Sequence, residues 1–267
     1  MHIIVCVKQI PNPETPAHLF RIDETAQQVI PAPGMPLVMS PFDEQAIEAA
    51  LRIRDMMGEV KITVISLGPD SARDVLKHGL SLGADEAVLL SDPAFEGSDS
   101  YTTALALAAA IKKVGEYDLI LTGRQAADWD AGVVGLGIAE LLEVPAITFA
   151  KEVQIHERTV RVERVLQDGF ETVEAPLPAL VTISNELGEP RSPSLRQVMR
   201  ASRKKATVWS AADLDLDAGC IGAAGARLTV ERLFIPVKEN QCEFITGASL
   251  QEQAINLLRR LQEMRVL

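Results

Sequence analysis

Along the first 150 residues, short unbroken apolar runs alternate with stretches whose apolar positions recur every three or four residues. The runs are Ile3–Val7, Val60–Leu67, Ala87–Leu90, Leu119–Gly123 and Ala146–Phe149. Runs of this kind mark strands buried on both faces. Between them the pattern predicts helices. The first opens at Ser40–Pro41–Phe42–Asp43, with Ser40 as cap, Pro41 at the first helical position and Asp43 completing a capping-box-like pair. Ile47, Ala50 and Leu51 form its buried stripe and Gly58 stops it. A second helix carries Val75, Leu76 and Leu80 and stops at Gly83, and a third is the Ala-rich segment Thr102 to Lys113. A Pro-rich loop with a short hairpin is expected between Lys8 and Val38. Strands alternating with helices over short connections imply a doubly wound, mostly parallel α/β sheet with helices on both faces.

After Lys151 the period changes to two. Val153–His156 and Thr159–Val165 alternate around a Glu157–Arg158 turn, and Phe170–Glu174 and Ala179–Ser184 follow. These read as antiparallel strands appended to the sheet. A polar loop with two prolines leads to a short basic helix from Ser194 to Lys205. From Asp213 to Gly247 there is little periodicity. An amphipathic helix then runs from Ser249 to Met264 with Ala254, Leu257, Leu258 and Leu261 on one face. The expected division is an α/β domain over residues 1–212, including a loop at 184–205, and a C-terminal arm over 213–267 that packs on a partner.

Composition narrows the class. Apolar residues make up 47% and aromatics only 4%, which suits a large core of aliphatic strands. The net charge of −11 excludes the basic footprint of a nucleic-acid binder. Cys6, Cys220 and Cys242 show no paired spacing, so neither a zinc site nor a disulfide framework is signalled. No apolar run is long enough for a signal peptide or a membrane span, and the expectation is a cytoplasmic protein without direct membrane insertion. His2, His18, His78 and His156 are scattered, with no triad or metal spacing.

The candidate chemistry lies in Leu119 to Gly135. A buried strand ends at Gly123, a loop follows, and Asp130 is placed to cap a helix whose apolar face includes Val133, Val134, Ile138, Leu141 and Leu142. Ala131, Gly132, Gly135 and Gly137 let a backbone or ligand approach the helix start, where unpaired N–H groups favour a phosphate. An ordinary strand-to-helix turn with small packing residues explains the same pattern. The stretch is neither a dinucleotide fingerprint nor a P-loop. In a parallel sheet the ligand edge would gather Cys6–Val7–Lys8, Leu67–Gly68–Pro69, Gly123–Val134 and the helix start at Ser40. No nucleophile elbow, Cys–His pair or Walker lysine is present.

Several segments together resemble one family, the β subunit of electron transfer flavoproteins. They are Cys6–Val7–Lys8, Ser40–Pro41–Phe42–Asp43, Leu67–Gly68–Pro69, Gly123–Arg124–Gln125–Ala126–Ala127–Asp128–Trp129–Asp130 and, most diagnostic, Val162 to Thr182. Glu189–Pro190–Arg191–Ser192–Pro193–Ser194–Leu195 looks like the start of that subunit's partner-recognition loop. The resemblance implies a heterodimer with an α subunit that holds most of a redox FAD, and an AMP bound by the β chain. It implies electron carriage from acyl-CoA dehydrogenase-type flavoenzymes to a quinone oxidoreductase, without catalytic residues in this chain. The nucleotide residues it implies are Cys6, Val7, Lys8, Ser40, Phe42, Asp43, Leu67, Gly68, Gly123, Arg124, Gln125, Ala126, Asp128, Asp130, Ala131, Gly132, Val133 and Val134. The docking residues it implies are Arg191, Leu195, Arg196 and Met199. In a bifurcating branch of the family the same site holds a second FAD that accepts hydride from NADH, and Phe95 to Ser100 looks more like that branch. Two departures stand out. Ala131–Gly132–Val133–Val134 replaces polar side chains near the phosphate, and Val165 replaces a commonly acidic residue after Arg164. The readings from other classes are a nucleotide-dependent enzyme, such as an adenylyltransferase or ATPase, and an AMP sensor.

Overall fold

The computed structural model describes residues 1–236 and 242–267, so 237–241, part of the aperiodic stretch 213–247, lie outside the described residues. The chain divides into two units, Met1–Leu233 and Phe234–Leu267. In the first unit β1 (His2–Cys6), β2 (Gln9–Ile10), β3 (Arg21–Asp23), β4 (Gln28–Ile30) and β5 (Val38–Met39) precede α1 (Pro41–Met57). Then come β6 (Lys61–Leu67), α2 (Arg73–Leu82), β7 (Glu86–Leu90), α3 (Ser100–Val114), β8 (Leu119–Gly123) and α4 (Val134–Leu142). β9 (Ala146–His156), β10 (Thr159–Leu166), β11 (Gly169–Pro176), β12 (Ala179–Ile183), α5 (Leu195–Ala201), β13 (Thr207–Trp209) and α6 (Gly222–Gly225) complete it. The second unit contains α7 (Leu250–Glu263).

Nine strands form one sheet in the order β11-β10-β9-β12-β8-β1-β6-β7-β13. From β9 to β13 every pairing is parallel, and only β9–β10 and β10–β11 are antiparallel. Successive side chains of a strand leave opposite faces, so each central strand feeds two cores. Ile3, Val5, Ile62, Val64, Leu119, Leu121 and Val181 pack with α1 and α2, whereas Ile4, Cys6, Ile65, Ile120 and Leu180 pack with α3 and α4. This is the doubly wound α/β fold that the alternating pattern predicts. The hairpin expected in the Pro-rich loop is β3–β4.

Three sequence expectations need correction. Ala179–Ser184 is not an appended antiparallel strand. As β12 it lies between β8 and β9, parallel to both, and all five of its residues are buried. Its unbroken Ala-Leu-Val-Thr-Ile run is the signature of such a strand, but its place after a hairpin obscured it. Ala146–Phe149 and Val153–His156 are not two strands. They are one strand of 11 residues, β9, whose first part pairs with β12 and whose second part pairs with β10. The two registers join at an irregularity where Phe149 takes a φ of 58° and its N–H donates to Thr182 Oγ1 at 3.0 Å. The basic helix does not run to Lys205 but ends at Ala201. Lys204 turns back there to donate from Nζ to the carbonyls of Ala84 (3.1 Å) and Asp85 (2.8 Å). β13, an edge strand of three residues, had no sequence signal.

Residues 211–228 return to the first unit. Leu214 and Ile221 are buried in the core beside α3. Ala223 N donates to Glu96 O at 2.8 Å, and Arg227 N and Leu228 N donate to Asp99 Oδ2 at 2.7 and 3.0 Å. Asp99 also caps α3. Burial would raise its carboxyl, but the N–H donors of Thr102, Arg227 and Leu228 outweigh this and hold it below the usual carboxylate range. The segment Phe95–Ser100 thus anchors the chain that leads toward the C-terminus.

Candidate functional site at the switch point of the sheet

From β1 the chain builds outward through β6 and β7, then returns with β8 on the other side of β1. The order of strands reverses between β1 and β8. A crevice opens beyond the carboxyl ends of strands at such a point, and ligands bind there in open α/β sheets. The ends concerned are Cys6–Val7–Lys8 and Gly123–Arg124. Leu67–Gly68 ends the next strand, β6, on the far side of β1.

Asp43 joins the two ends. Ser40 occupies the cap of α1, and its carbonyl accepts the N–H groups of Asp43 (2.9 Å) and Glu44 (3.1 Å). Its hydroxyl makes no cap bond, and it is buried without a partner. The expected capping box is therefore absent. Asp43 instead turns its carboxyl to the strand ends, accepting Lys8 N on Oδ2 at 2.8 Å and Gly123 N on Oδ1 at 3.2 Å. Both strand-end amides lie where the sheet ladder is giving out, and unpaired buried amides are costly. Burial pushes the Asp43 carboxyl up to about 7; the two N–H bonds and the Lys8 charge oppose the rise, and Asp128 adds to it. Burial, with the charge of Asp43, pushes the Cys6 thiol up to about 12. Cys6 therefore packs as an apolar side chain. A Cβ on Gly123 would sit 2.6 Å from Asp43 Oδ1 and 2.7 Å from Phe42 Cβ, so only glycine admits this closure.

The loop after β8 is built largely from its own polar groups. Arg124 N donates to Ile183 O at 2.8 Å, and the Arg124 guanidinium lies 5.0 Å from the centre of the Phe42 ring. Arg124 Nη1 donates to Ser184 Oγ at 3.3 Å, while its Nε is buried and unpaired. Lys8 Nζ and Asp128 Oδ2 form an ion pair of 2.7 Å that ties the loop to the end of β1. Gln125 Nε2 donates to Asp130 Oδ1 at 2.8 Å, and Asp130 N donates to Ala126 O at 2.9 Å. Asp130 stands at a φ of 52° and does not cap the helix, contrary to the sequence reading. Its own turn has captured it. The cap is Val133, with no side-chain bond, and α4 begins at Val134. Ala131 and Gly132 therefore belong to the loop. Gly135 is pressed against β8, where a Cβ would lie 2.7 Å from Thr122 Oγ1. The first turn of α4 is left with N–H groups that no side chain satisfies, beside an exposed Trp129 and Val133.

Two clefts lie outside this edge, one of about 510 Å³ between α1 and β9–β10 and one of about 350 Å³ near the amino ends of β7 and β13, and they share none of its residues. Among the described residues no group of three or more His, Cys, Asp or Glu side chains could hold a metal ion.

The expected docking residues sit elsewhere. Ser194 caps α5 in a reciprocal box with Gln197, a Ser-x-x-Gln spacing visible in the sequence. Leu195, Val198 and Met199 are exposed on α5, as is Arg196. Arg191 is engaged within the chain. Its Nε donates to Glu48 Oε2 at 2.8 Å and its Nη2 to Asp55 Oδ2 at 2.8 Å.

Residues 33–214 match the electron transfer flavoprotein domain family. A subunit of a caffeyl-CoA reductase–Etf complex from Acetobacterium woodii, named CarD, is 38% identical over the whole of both chains. The electron transfer flavoprotein β subunit of Thermoanaerobacterium thermosaccharolyticum is 40% identical, again over the whole of both. A protein named FixA from Azorhizobium caulinodans is 36% identical over 88% of this chain and 85% of its own. The chain belongs to the electron transfer flavoprotein family, and within it to the β-subunit type. In this electron transfer flavoprotein chain the signature segment Val162 to Thr182 covers most of the β10–β11 hairpin and most of β12. Arg164 there donates from Nε to Thr148 O (3.1 Å) and from Nη1 to Glu171 Oε1 (2.8 Å), whereas Val165 is half-buried opposite Phe170.

Proposed function

We propose that this chain is the β subunit of a heterodimeric electron transfer flavoprotein, and that the switch-point edge holds the adenosine phosphate of an AMP. The observation that carries the nucleotide reading is the start of α4, uncapped by any side chain and set at the crevice between β1 and β8. The residues present fit such a group. Backbone N–H groups from Gly132 to Leu136 would bind the phosphate. Arg124, with a buried Nε still unpaired, would neutralise its charge. The Lys8–Asp128 pair ties the loop to the end of β1, and Asp43 keeps both strand ends in place. The α subunit would hold most of the redox FAD, which supplies one- and two-electron chemistry when bound. Acyl-CoA dehydrogenase-type flavoenzymes would donate electrons, and a quinone oxidoreductase would accept them.

A second reading puts FAD at the same edge, bound by its ADP half. The full-length likeness to a subunit of a caffeyl-CoA reductase–Etf complex favours it, as does the resemblance of Phe95–Ser100 to the bifurcating branch. The test is denaturing release of nucleotides from the purified heterodimer, followed by chromatography. One FAD and one AMP per heterodimer is the expected result, and two FAD would replace the AMP reading with the second. ATP turnover by the chain alone would point to a nucleotide-dependent enzyme. Purification with no flavin-containing partner would point to an AMP sensor.

A further inference from the structure

We propose that Glu48 is a positioning residue for partner docking, fixing through Arg191 the angle at which α5 presents Leu195, Val198 and Met199. The proposal rests on the reading of α5 as the docking helix. Glu48 lies in the middle of α1 with its side chain only 6% exposed, an expensive place for a carboxylate. Both of its oxygens are fully used. Oε2 accepts Arg191 Nε (2.8 Å) and Arg191 N (3.2 Å), and Oε1 accepts Arg191 Nη2 (3.2 Å) and Arg52 Nε (2.9 Å). Arg52 Nη1 in turn donates to Leu187 O at 2.9 Å, and Asp55 takes the outer side of the Arg191 fork. One buried carboxylate therefore clamps the loop before α5 at two places.

Three residues separate Arg191 from Leu195, and Pro193 among them restricts the backbone. Little slack is left between clamp and helix. The other end of α5 is held by buried Ala201 and by Lys204 on the carbonyls of Ala84 and Asp85. With both ends pinned, the apolar face of α5 keeps one orientation without a partner, which lowers the ordering cost of docking. Arg191 then serves docking from behind: its Nε and one arm of its guanidinium are occupied by Glu48 and Asp55.

The test uses the full chain with its α subunit. Reduction of the flavoprotein by an acyl-CoA dehydrogenase and its acyl-CoA is followed over flavoprotein concentration. Glu48→Gln, Arg191→Lys and Leu195→Ala should each raise KM about 5- to 10-fold, the size expected of an interface anchor, with flavin content unchanged. Glu48→Gln combined with Leu195→Ala should fall short of the product of the two single effects, because the clamp acts through the helix that carries Leu195. Without any dehydrogenase, amide exchange over residues 194–201 should quicken several-fold in Glu48→Gln and Arg191→Lys. If Leu195→Ala impairs reduction while Glu48→Gln and Arg191→Lys leave both KM and exchange unaltered, the clamp is overturned and the docking reading stands. If Leu195→Ala leaves KM unaltered, the docking reading falls and takes the proposal with it. Should Glu48→Gln fail to fold, Arg191→Lys decides alone.

Discussion

Asp43 shows how much one side chain can alter at the carboxyl edge of the sheet. A carboxyl in the first turn of a helix is ordinarily a solvated companion to the dipole. This one is buried, spans the ends of β1 and β8, and has its acid range moved up to about 7, chiefly by burial. The folded protein therefore holds a proton there that the unfolded chain has already released. Stability from this group is full below about pH 4 and is lost as pH rises toward about 7, with a slope no steeper than about 1.4 kcal/mol per pH unit. Above that window the contribution is flat. Asp43→Asn removes the titration, so the wild type's stability relative to the variant should decline between pH 4 and pH 7 in denaturant melts. A difference that grows with pH would mean that the folded carboxyl is the stronger acid. Gly123 is as constrained as its neighbour, because the Asp43 carboxyl occupies the space a Cβ would need.

Among the elements, α7 has the largest unmet demand. Ser249 caps it, Arg260 is paired with Glu243 and Glu263, and its local chemistry is complete. None of its residues is buried, and Ile255, Leu257 and Leu258 are exposed. Fully burying three such side chains stabilises an assembly by roughly 5–8 kcal/mol before ordering costs. The α subunit is the expected occupant. Deleting residues 249–267 should weaken assembly with it by at least tenfold in a dilution series followed by size-exclusion chromatography. Unchanged affinity would return the helix to its own chain. Other elements were decided by their surroundings rather than their patterns. α4 starts at Val134 because Asp130 is engaged in its own turn with Gln125 and Ala126, and β9 remains one strand because an irregularity at Phe149 joins its two registers.

For the whole molecule, the nucleotide should act as part of the fold. A ligand present at about 100 times its Kd adds about 2.7 kcal/mol to the folded state. In a protein of this size that corresponds to about 5–10 °C in Tm. Heterodimer stripped of nucleotide should melt lower by that amount and recover when the released nucleotide is returned; a melt indifferent to the nucleotide would remove the edge from consideration as its site. The fold class was legible because burial on both faces writes continuous apolar runs, and helices on a sheet write a period near 3.6. The strand ends Cys6–Lys8 and Gly123–Arg124 were legible for the same reason: each run stops where the sheet stops. The amphipathic C-terminal helix and the Ser194 cap are local, and local spacing determined them. Tertiary structure alone decided the rest. It placed β12 inside the sheet, gave Asp43 two strand ends to hold instead of its own helix, and set Glu48 under Arg191 from 143 residues away. A side chain's choice among hydrogen-bond partners depends on which amides and cations the folded chain brings within about 3 Å, and no pattern of neighbours along the sequence records that.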